Sequence, residues 1–375
     1  MRLSLKVYIY YNVLLIEEEI IKFMGSMEKM NITKQMLPNK ILMMGNSKYF
    51  FADPKDARAL SDLLLVTRTV KFNEIALIHF TKLGMLAFEF LDTGEYASIN
   101  ILKTSGAGII PDEVNKNDDE INQLQEKRIL FANFILAAFF GKISTARGCS
   151  LQGALYNGQD KITGFGLKNG SIVFQEDDVV QQYINAKVLM INGTDYNQYK
   201  YFILKEDEIE NAIEFIKVLI SKEQEFEYID LMSCIVMSYQ AAILHSQQHA
   251  TASLALNFSV IESLVKEIFL FYGLVGKRTA KSFATKNHSV PNIPYQDFKM
   301  INVSRLAEIA YEGKLFDFFL NERIKEARVK RNNLMHKGET VGPKETGPYQ
   351  TIVRDLWSFL IEEPFELNAS WSYLR

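Results

Sequence analysis

Residues 231–261 read LMSCIVMSYQAAILHSQQHATASLALNFSVI, a stretch without a single Asp, Glu, Lys or Arg. A membrane-spanning helix needs about 20 mostly apolar residues. Here the centre carries Gln240, His245, Ser246, Gln247, Gln248 and His249, which would be costly in hydrocarbon. The stretch therefore reads as helix buried by protein on more than one face. Its surroundings support helix. No Gly occurs between Gly193 and Gly273 and no Pro between Pro111 and Pro291, so the two residues that most often interrupt helices are absent together. Apolar side chains recur at helical spacing in Ile209, Ile213, Ile216 and Ile220, then in Ile229, Met232, Val236, Tyr239 and Ile243. Phe258, Ile261, Val265, Ile268 and Phe269 continue the pattern, and Tyr272-Gly273 supplies a stop.

The chain before about residue 205 has a different texture. Short apolar or alternating runs predict strands at 75–80, 85–91, 98–102, 171–174, 188–191 and 201–204, separated by turns such as Asp92-Thr93-Gly94 and Lys168-Asn169-Gly170. Asp53-Pro54 reads as a helix start running to about Val66, and a second helix is predicted from Asp119 to Phe140, ending at Gly141. Beyond the long helices, 277–300 reads as a loop, with helices following at 303–311, 315–335 and 349–362. The fold class expected is α+β, with a mixed α/β domain at 1–204 followed by an all-α helical bundle at 205–375. The 375 residues are enough for two such domains.

Composition narrows the function. With 48% hydrophobic and 23% charged residues the chain is neither low-complexity nor disordered in bulk. A net charge of −3 gives no global field for nucleic acid, so any basic site must be local. Cys149 and Cys234 can neither staple the fold nor build a four-ligand zinc site, which points to a reducing, cytoplasmic setting. The apolar run at 8–16 is followed by Glu17, Glu18 and Glu19 with no small-residue cleavage site, so a signal peptide is not expected.

One segment carries chemistry. Residues 323–337, RIKEARVKRNNLMHK, hold Arg323, Lys325, Arg328, Lys330, Arg331 and Lys337 against the single acid Glu326. That is a concentrated basic patch suited to phosphate contacts, or else a solvated helix face. The segment ends in Arg331-Asn332-Asn333-Leu334-Met335-His336, an R-N-x-x-x-H motif. On a helix Asn332 and His336 are i,i+4, so the amide can orient the imidazole. Arg331 stands about 140° around the axis from His336. Histidine suits proton transfer near neutral pH and arginine suits clamping phosphate. The alternative for His336 is a cation at a helix C-terminus.

Together with the upstream run Asn257-Phe258-Ser259-Val260-Ile261-Glu262-Ser263-Leu264, the motif resembles the HEPN superfamily, specifically its Apea-like group. The resemblance covers about 225–362. It implies a helical bundle with a metal-independent ribonuclease site and a role in antiviral defence, abortive infection or toxin–antitoxin systems. It further implies an RNA substrate, often tRNA, a homodimer through the helical domain, and an antitoxin or phage-derived trigger as partner. On this resemblance Arg331, His336, Asn332 and Glu262 are the catalytic candidates, Glu262 positioning the arginine; Lys266 one turn later is the competing partner for Glu262. Arg328, Lys330, Lys325 and Lys337 are the RNA-binding candidates. No cofactor and no metal is expected. His245 and His249 are i,i+4 but lack the Glu of H-E-x-x-H and a third ligand, and Gly164–Gly170 misses a dinucleotide fingerprint by one position, so it reads as a turn. A non-catalytic HEPN module that binds nucleic acid or a protein partner is the alternative.

Overall fold

A computed structural model of the chain describes residues 40–43, 49–55, 57, 60–91, 111–147, 163–174, 178–193, 200–272, 293, 298 and 300–367. The fold is α+β. Its strands are β1 (Lys40–Met43), β2 (Val66–Phe72), β3 (Ala76–Thr81), β4 (Leu86–Phe90), β5 (Thr163–Lys168) and β6 (Ser171–Phe174). They form one antiparallel sheet in the order β2-β3-β4-β1-β5-β6. The helices are α1 (Leu60–Leu63), α2 (Pro111–Arg147), α3 (Asp178–Gly193), α4 (Glu206–Glu223), α5 (Leu231–Ser246), α6 (Ala250–Phe271), α7 (Val303–Glu312), α8 (Phe318–Lys337) and α9 (Pro343–Ile361).

Alternation along the strands gives the sheet two apolar faces. One presents Phe72, Ile78, Phe80, Phe88 and Phe90 to the apolar half of α2, where Phe131 lies 6.0 Å from Phe90 and Phe139 lies 5.5 Å from Phe80. The other presents Ala87 and Phe165 to a smaller cluster that includes Leu63, Leu64 and Ile184 of α3. Residues 123–147 are apolar and long enough to cross a membrane, but 78% of the most apolar window is buried inside the protein, as in a core helix. Because α2 also packs against α4 and α5, the sheet and the helices share a continuous apolar core. Arg147, at the end of α2, fastens the junction. It donates from Nε to Glu208 at 2.6 Å and from Nη2 to the carbonyl of Ile203 at 3.2 Å.

Several sequence expectations need correction. The helix placed at 53–66 is only the single turn α1, and Val66 opens strand β2, whose alternating Val-Thr-Arg-Thr-Val pattern pairs with β3. Residues 188–191 are not a strand but lie inside α3, which Lys187 ties down by donating to the carbonyl of Tyr49 at 2.7 Å. Residues 201–204 form a short 3-10 turn and one isolated parallel bridge between Ile203 and Phe50. Helix α2 runs through Gly141 rather than stopping there. A side chain at that position would come within 2.8 Å of Phe365 and Leu367, so the glycine serves close packing. Helix α9 starts at Pro343, not at 349: proline suits a first helical position, and Glu345 closes a capping bond to the Gly342 amide at 2.8 Å. Gly164–Lys168 is strand, and the turn is Asn169-Gly170, both at positive φ (52° and 79°). The predicted strand at 98–102, the turn at 92–94, and Cys149 lie outside the described residues.

The helical expectations fare better. The uncharged stretch 231–261 is two helices, α5 and the first half of α6, joined at Gln247–His249, where Gln248 takes φ 65°. Ser253 Oγ donates across the hairpin to the carbonyl of Ala241 at 2.8 Å. Trp357 of α9 donates from Nε1 to Ser238 Oγ of α5 at 3.0 Å, so a buried indole N–H is satisfied where α9 covers the hairpin.

Candidate functional site

Helix α8 is the element that positions the motif. Asp317 caps it, accepting from the Leu320 amide at 2.7 Å. Its C-terminus is fixed by Gly338 at φ 67°, whose amide donates to Leu334 O while Glu339 N donates to Asn333 O. This left-handed cap suits glycine and leaves His336 and Lys337 in the last turn. The helix buries Leu320, Ile324 and Ala327, spaced four and three apart. Arg331, four residues after Ala327, continues the same side.

The guanidinium of Arg331 consequently lies over the ring of Phe258 on α6, with Cζ 5.5 Å from the ring centroid. Its Nη1 donates to Asn332 Oδ1 at 3.3 Å. Asn332 is thus turned to the arginine. Among the described residues it makes no hydrogen bond to His336, contrary to the i,i+4 expectation, because the charged guanidinium is the stronger donor within reach. His336 is exposed and makes no hydrogen bond or ion pair among the described residues. Arg331 and His336 therefore leave α8 in different directions, one inward along α6 and the other to solvent.

Glu262, the proposed positioning acid, pairs with Lys266 at 3.0 Å, and Lys266 also donates to the Tyr228 hydroxyl at 3.0 Å. The partner on Arg331's face of α6 is Phe258, one turn earlier. The acid buried in α6 is a different one, Glu267. It accepts from the backbone amides of Tyr228 at 2.6 Å and Ile229 at 3.1 Å and holds the loop that enters α5. Sequence reasoning passed over it. Its only local signal is a charge set in the apolar stripe between Val265 and Ile268.

The basic patch is partly neutralised by its own neighbours. Arg323 pairs with Asp355 at 2.7 Å, Lys325 with Glu322 at 3.2 Å, Lys330 with Glu345 at 2.6 Å and Lys337 with Glu339 at 3.9 Å. Glu345 is held below the usual carboxylate range, first by its hydrogen bond from Lys330. Arg328 is the patch cation that keeps neither an acid nor an aromatic partner among the described residues. Sequence distance hid two of these pairings, since Asp355 and Glu345 arrive from α9, whereas Glu322 and Glu339 flank the segment itself.

His245 closes α5 at the same end of the bundle. Its Nδ1 lies 2.5 Å from Thr346 Oγ1, and burial lowers its pKa below the ordinary imidazole value. His249 is exposed and occupies the N-cap position of α6 without a side-chain capping bond. Among the described residues no three His, Cys, Asp or Glu side chains gather to hold a metal ion. Cys234 is a buried thiol whose pKa is pushed up to about 12 by desolvation, so it is no nucleophile.

Compared with known proteins, the chain matches no family model, no curated protein and no solved structure.

Proposed function

We propose that the protein is a metal-independent endoribonuclease of the HEPN type, an effector of antiviral defence, abortive infection or toxin function acting in the cytoplasm. The observation that carries this reading is α8 itself. It holds an arginine anchored on an aromatic ring and, five residues later, an exposed histidine whose ring nitrogens make no hydrogen bond among the described residues. An anchored guanidinium can stabilise charge developing on a phosphoryl group, and a free imidazole can move a proton near neutral pH. RNA supplies the nucleophile: its 2′-hydroxyl already adjoins the scissile phosphate, so proximity provides much of the rate.

In this mechanism His336 takes the 2′-proton or protonates the leaving 5′-oxygen. Because Arg331 and His336 diverge on one helix, the working site is shared between two copies of the chain, each lending one of the two groups to a common cleft. Arg328 and the lysines at 325, 330 and 337 hold the RNA backbone. RNA cleavage by the wild type beside His336→Ala tests the reading: the variant should be inactive and equally stable.

A second reading is favoured by the ion pairs. With Lys325, Lys330 and Lys337 engaged by acids and Glu262 engaged by Lys266, the same domain could bind RNA or a protein partner without cutting it. RNA binding by a wild type that leaves the RNA intact would establish this alternative.

A further inference from the structure

The sheet carries a second chemical cluster, outside the helical bundle. In the strand register Thr69 of β2 stands directly opposite His79 of β3, and His79 stands opposite Ala87 of β4. Glu89, two residues on from Ala87, therefore lies on the same face of the sheet, one diagonal away from His79. The side chains use that placement. Thr69 Oγ1 lies 2.8 Å from His79 Nδ1, and Glu89 Oε2 lies 3.3 Å from His79 Nε2. A hydroxyl, an imidazole and a carboxylate thus stand in line across three neighbouring strands.

The proton positions follow from the partners. An ionised carboxylate can only accept, so Nε2 is the ring nitrogen that carries the proton, and Nδ1 turns its lone pair toward Thr69. The Thr69 hydroxyl is then the donor to Nδ1. Burial is graded along the line. His79 is 4% exposed, with the Phe165 ring edge-on to it at 5.9 Å between centroids, and Glu89 is half-buried. Thr69 is exposed, as are Thr67 and Lys71 on the same face of β2. The base is shielded from water while the hydroxyl that it faces is open to a reactant.

We infer that Thr69 is a nucleophile activated by His79, with Glu89 holding the ring, and that it takes the acyl group of a short carboxylic ester. A nucleophile within hydrogen-bond reach of a base, and a base oriented by a third group, is the arrangement that acyl transfer needs. Thr69 Oγ1 attacks the ester carbonyl carbon while its proton passes to Nδ1. The bond from that carbon to the alcohol oxygen then breaks, the alcohol leaves with the proton, and the acyl group stays on Thr69. Water repeats the sequence through His79, releasing the carboxylic acid and restoring the hydroxyl. None of the three residues belongs to the α8 motif, so the inference does not rest on the ribonuclease reading.

The test treats the full chain with a fluorophosphonate, which bonds to activated hydroxyls with loss of fluoride, and separately with p-nitrophenyl acetate. Peptide mapping should place the phosphonyl adduct on Thr69. Nitrophenolate release should fall about a hundredfold in Thr69→Val and in His79→Gln, the usual contribution of a positioned general base. Thr69→Ser, which keeps the hydroxyl, should retain both adduct and release. The wild-type adduct decides the matter even where a variant fails to fold. A wild type that takes no adduct at Thr69, or nitrophenolate release as fast in Thr69→Val as in wild type, overturns the assignment and leaves the hydrogen bonds as a tie between strands.

Discussion

Arg331 rests on Phe258, not on Glu262: its guanidinium carbon is 5.5 Å from the ring centroid, while the Glu262 carboxylate is taken by Lys266 at 3.0 Å. A partly exposed cation–π contact contributes about 0.5–1 kcal/mol. Arg331→Ala should therefore lower stability by no more than that and still abolish RNA cleavage. Glu262→Gln should leave cleavage within about twofold of wild type, because the half-buried carboxylate is spent on Lys266 and makes no contact with Arg331 among the described residues. Parallel melting curves and cleavage rates decide it. A Glu262→Gln loss as deep as that of Arg331→Ala would mean that the acid positions the arginine during the reaction.

The ion pairs rank the basic residues. Arg328 is free among the described residues, whereas Lys330 is bound to Glu345 at 2.6 Å. Each phosphate contact contributes a slope of about 0.7 in log affinity against log salt on single strands. Arg328→Ala should reduce the measured slope by about that amount, and Lys330→Ala by clearly less. Filter binding of a short RNA at several salt concentrations measures both. Equal slopes for the two variants would show that RNA displaces Glu345 from Lys330.

Glu267 predicts a structural failure at a distance from the motif. Its fully buried carboxylate accepts the backbone amides that lead into α5. Glu267→Ala leaves those donors unpaired and should cost about 3 kcal/mol or more. Urea denaturation reads the loss. A change under about 1 kcal/mol, the size of one ordinary hydrogen bond, would mean that water replaces the carboxylate.

The Arg147–Glu208 clamp gives a pH dependence with a definite sign. The Arg147 hydrogen bond holds the Glu208 carboxyl below its ordinary value. A carboxyl depressed in the folded state stabilises the protein above its unfolded pKa, about 4.3 for Glu, and that contribution is lost as pH falls through the lower folded value. Arg147→Gln should be less stable than wild type at pH 7, and the difference should shrink as the pH drops below about 4. A gap that stays constant across this range would assign the loss to packing or to the Ile203 carbonyl instead.

These relationships show where the sequence was legible. Helices α4, α5 and α6 follow from apolar spacing because each buries one continuous stripe, such as Ile209, Ile213, Ile216 and Ile220. The errors share a cause, which is long-range packing overriding a local signal. Gly141 reads as a stop only until Phe365 and Leu367 are brought against it, and 188–191 reads as strand until Lys187 reaches Tyr49. At the motif, residue identity and helix phase were readable from 323–337. The acid that covers Lys330 was not, because Glu345 lies beyond Gly338 on the returning helix. The period-two run of β2 was in plain view and was outweighed by the Asp53-Pro54 cap signal, although Asp53 accepts from the Lys55 amide at 2.9 Å in a local turn and no helix follows among the described residues until Leu60.

The last prediction concerns how two diverging residues make one site. Arg331 points along α6 and His336 points to solvent, about 140° apart on a helix of 3.6 residues per turn. If each cleft takes its arginine from one chain and its histidine from the other, Arg331→Ala and His336→Ala are both inactive alone, yet their heterodimer keeps one intact cleft of two. In an equimolar mixture after exchange, half the dimers are mixed, so activity should recover to about a quarter of wild type. The reaction should proceed in EDTA and yield a 2′,3′-cyclic phosphate and a 5′-hydroxyl, and a 2′-deoxy substitution at the cleaved position should stop it, because the internal nucleophile is gone. Mixing that restores nothing, while wild type cuts RNA, would place both groups in one chain and require α8 to rearrange on binding. Cleavage of the 2′-deoxy substrate at the normal rate would remove the proposed chemistry altogether.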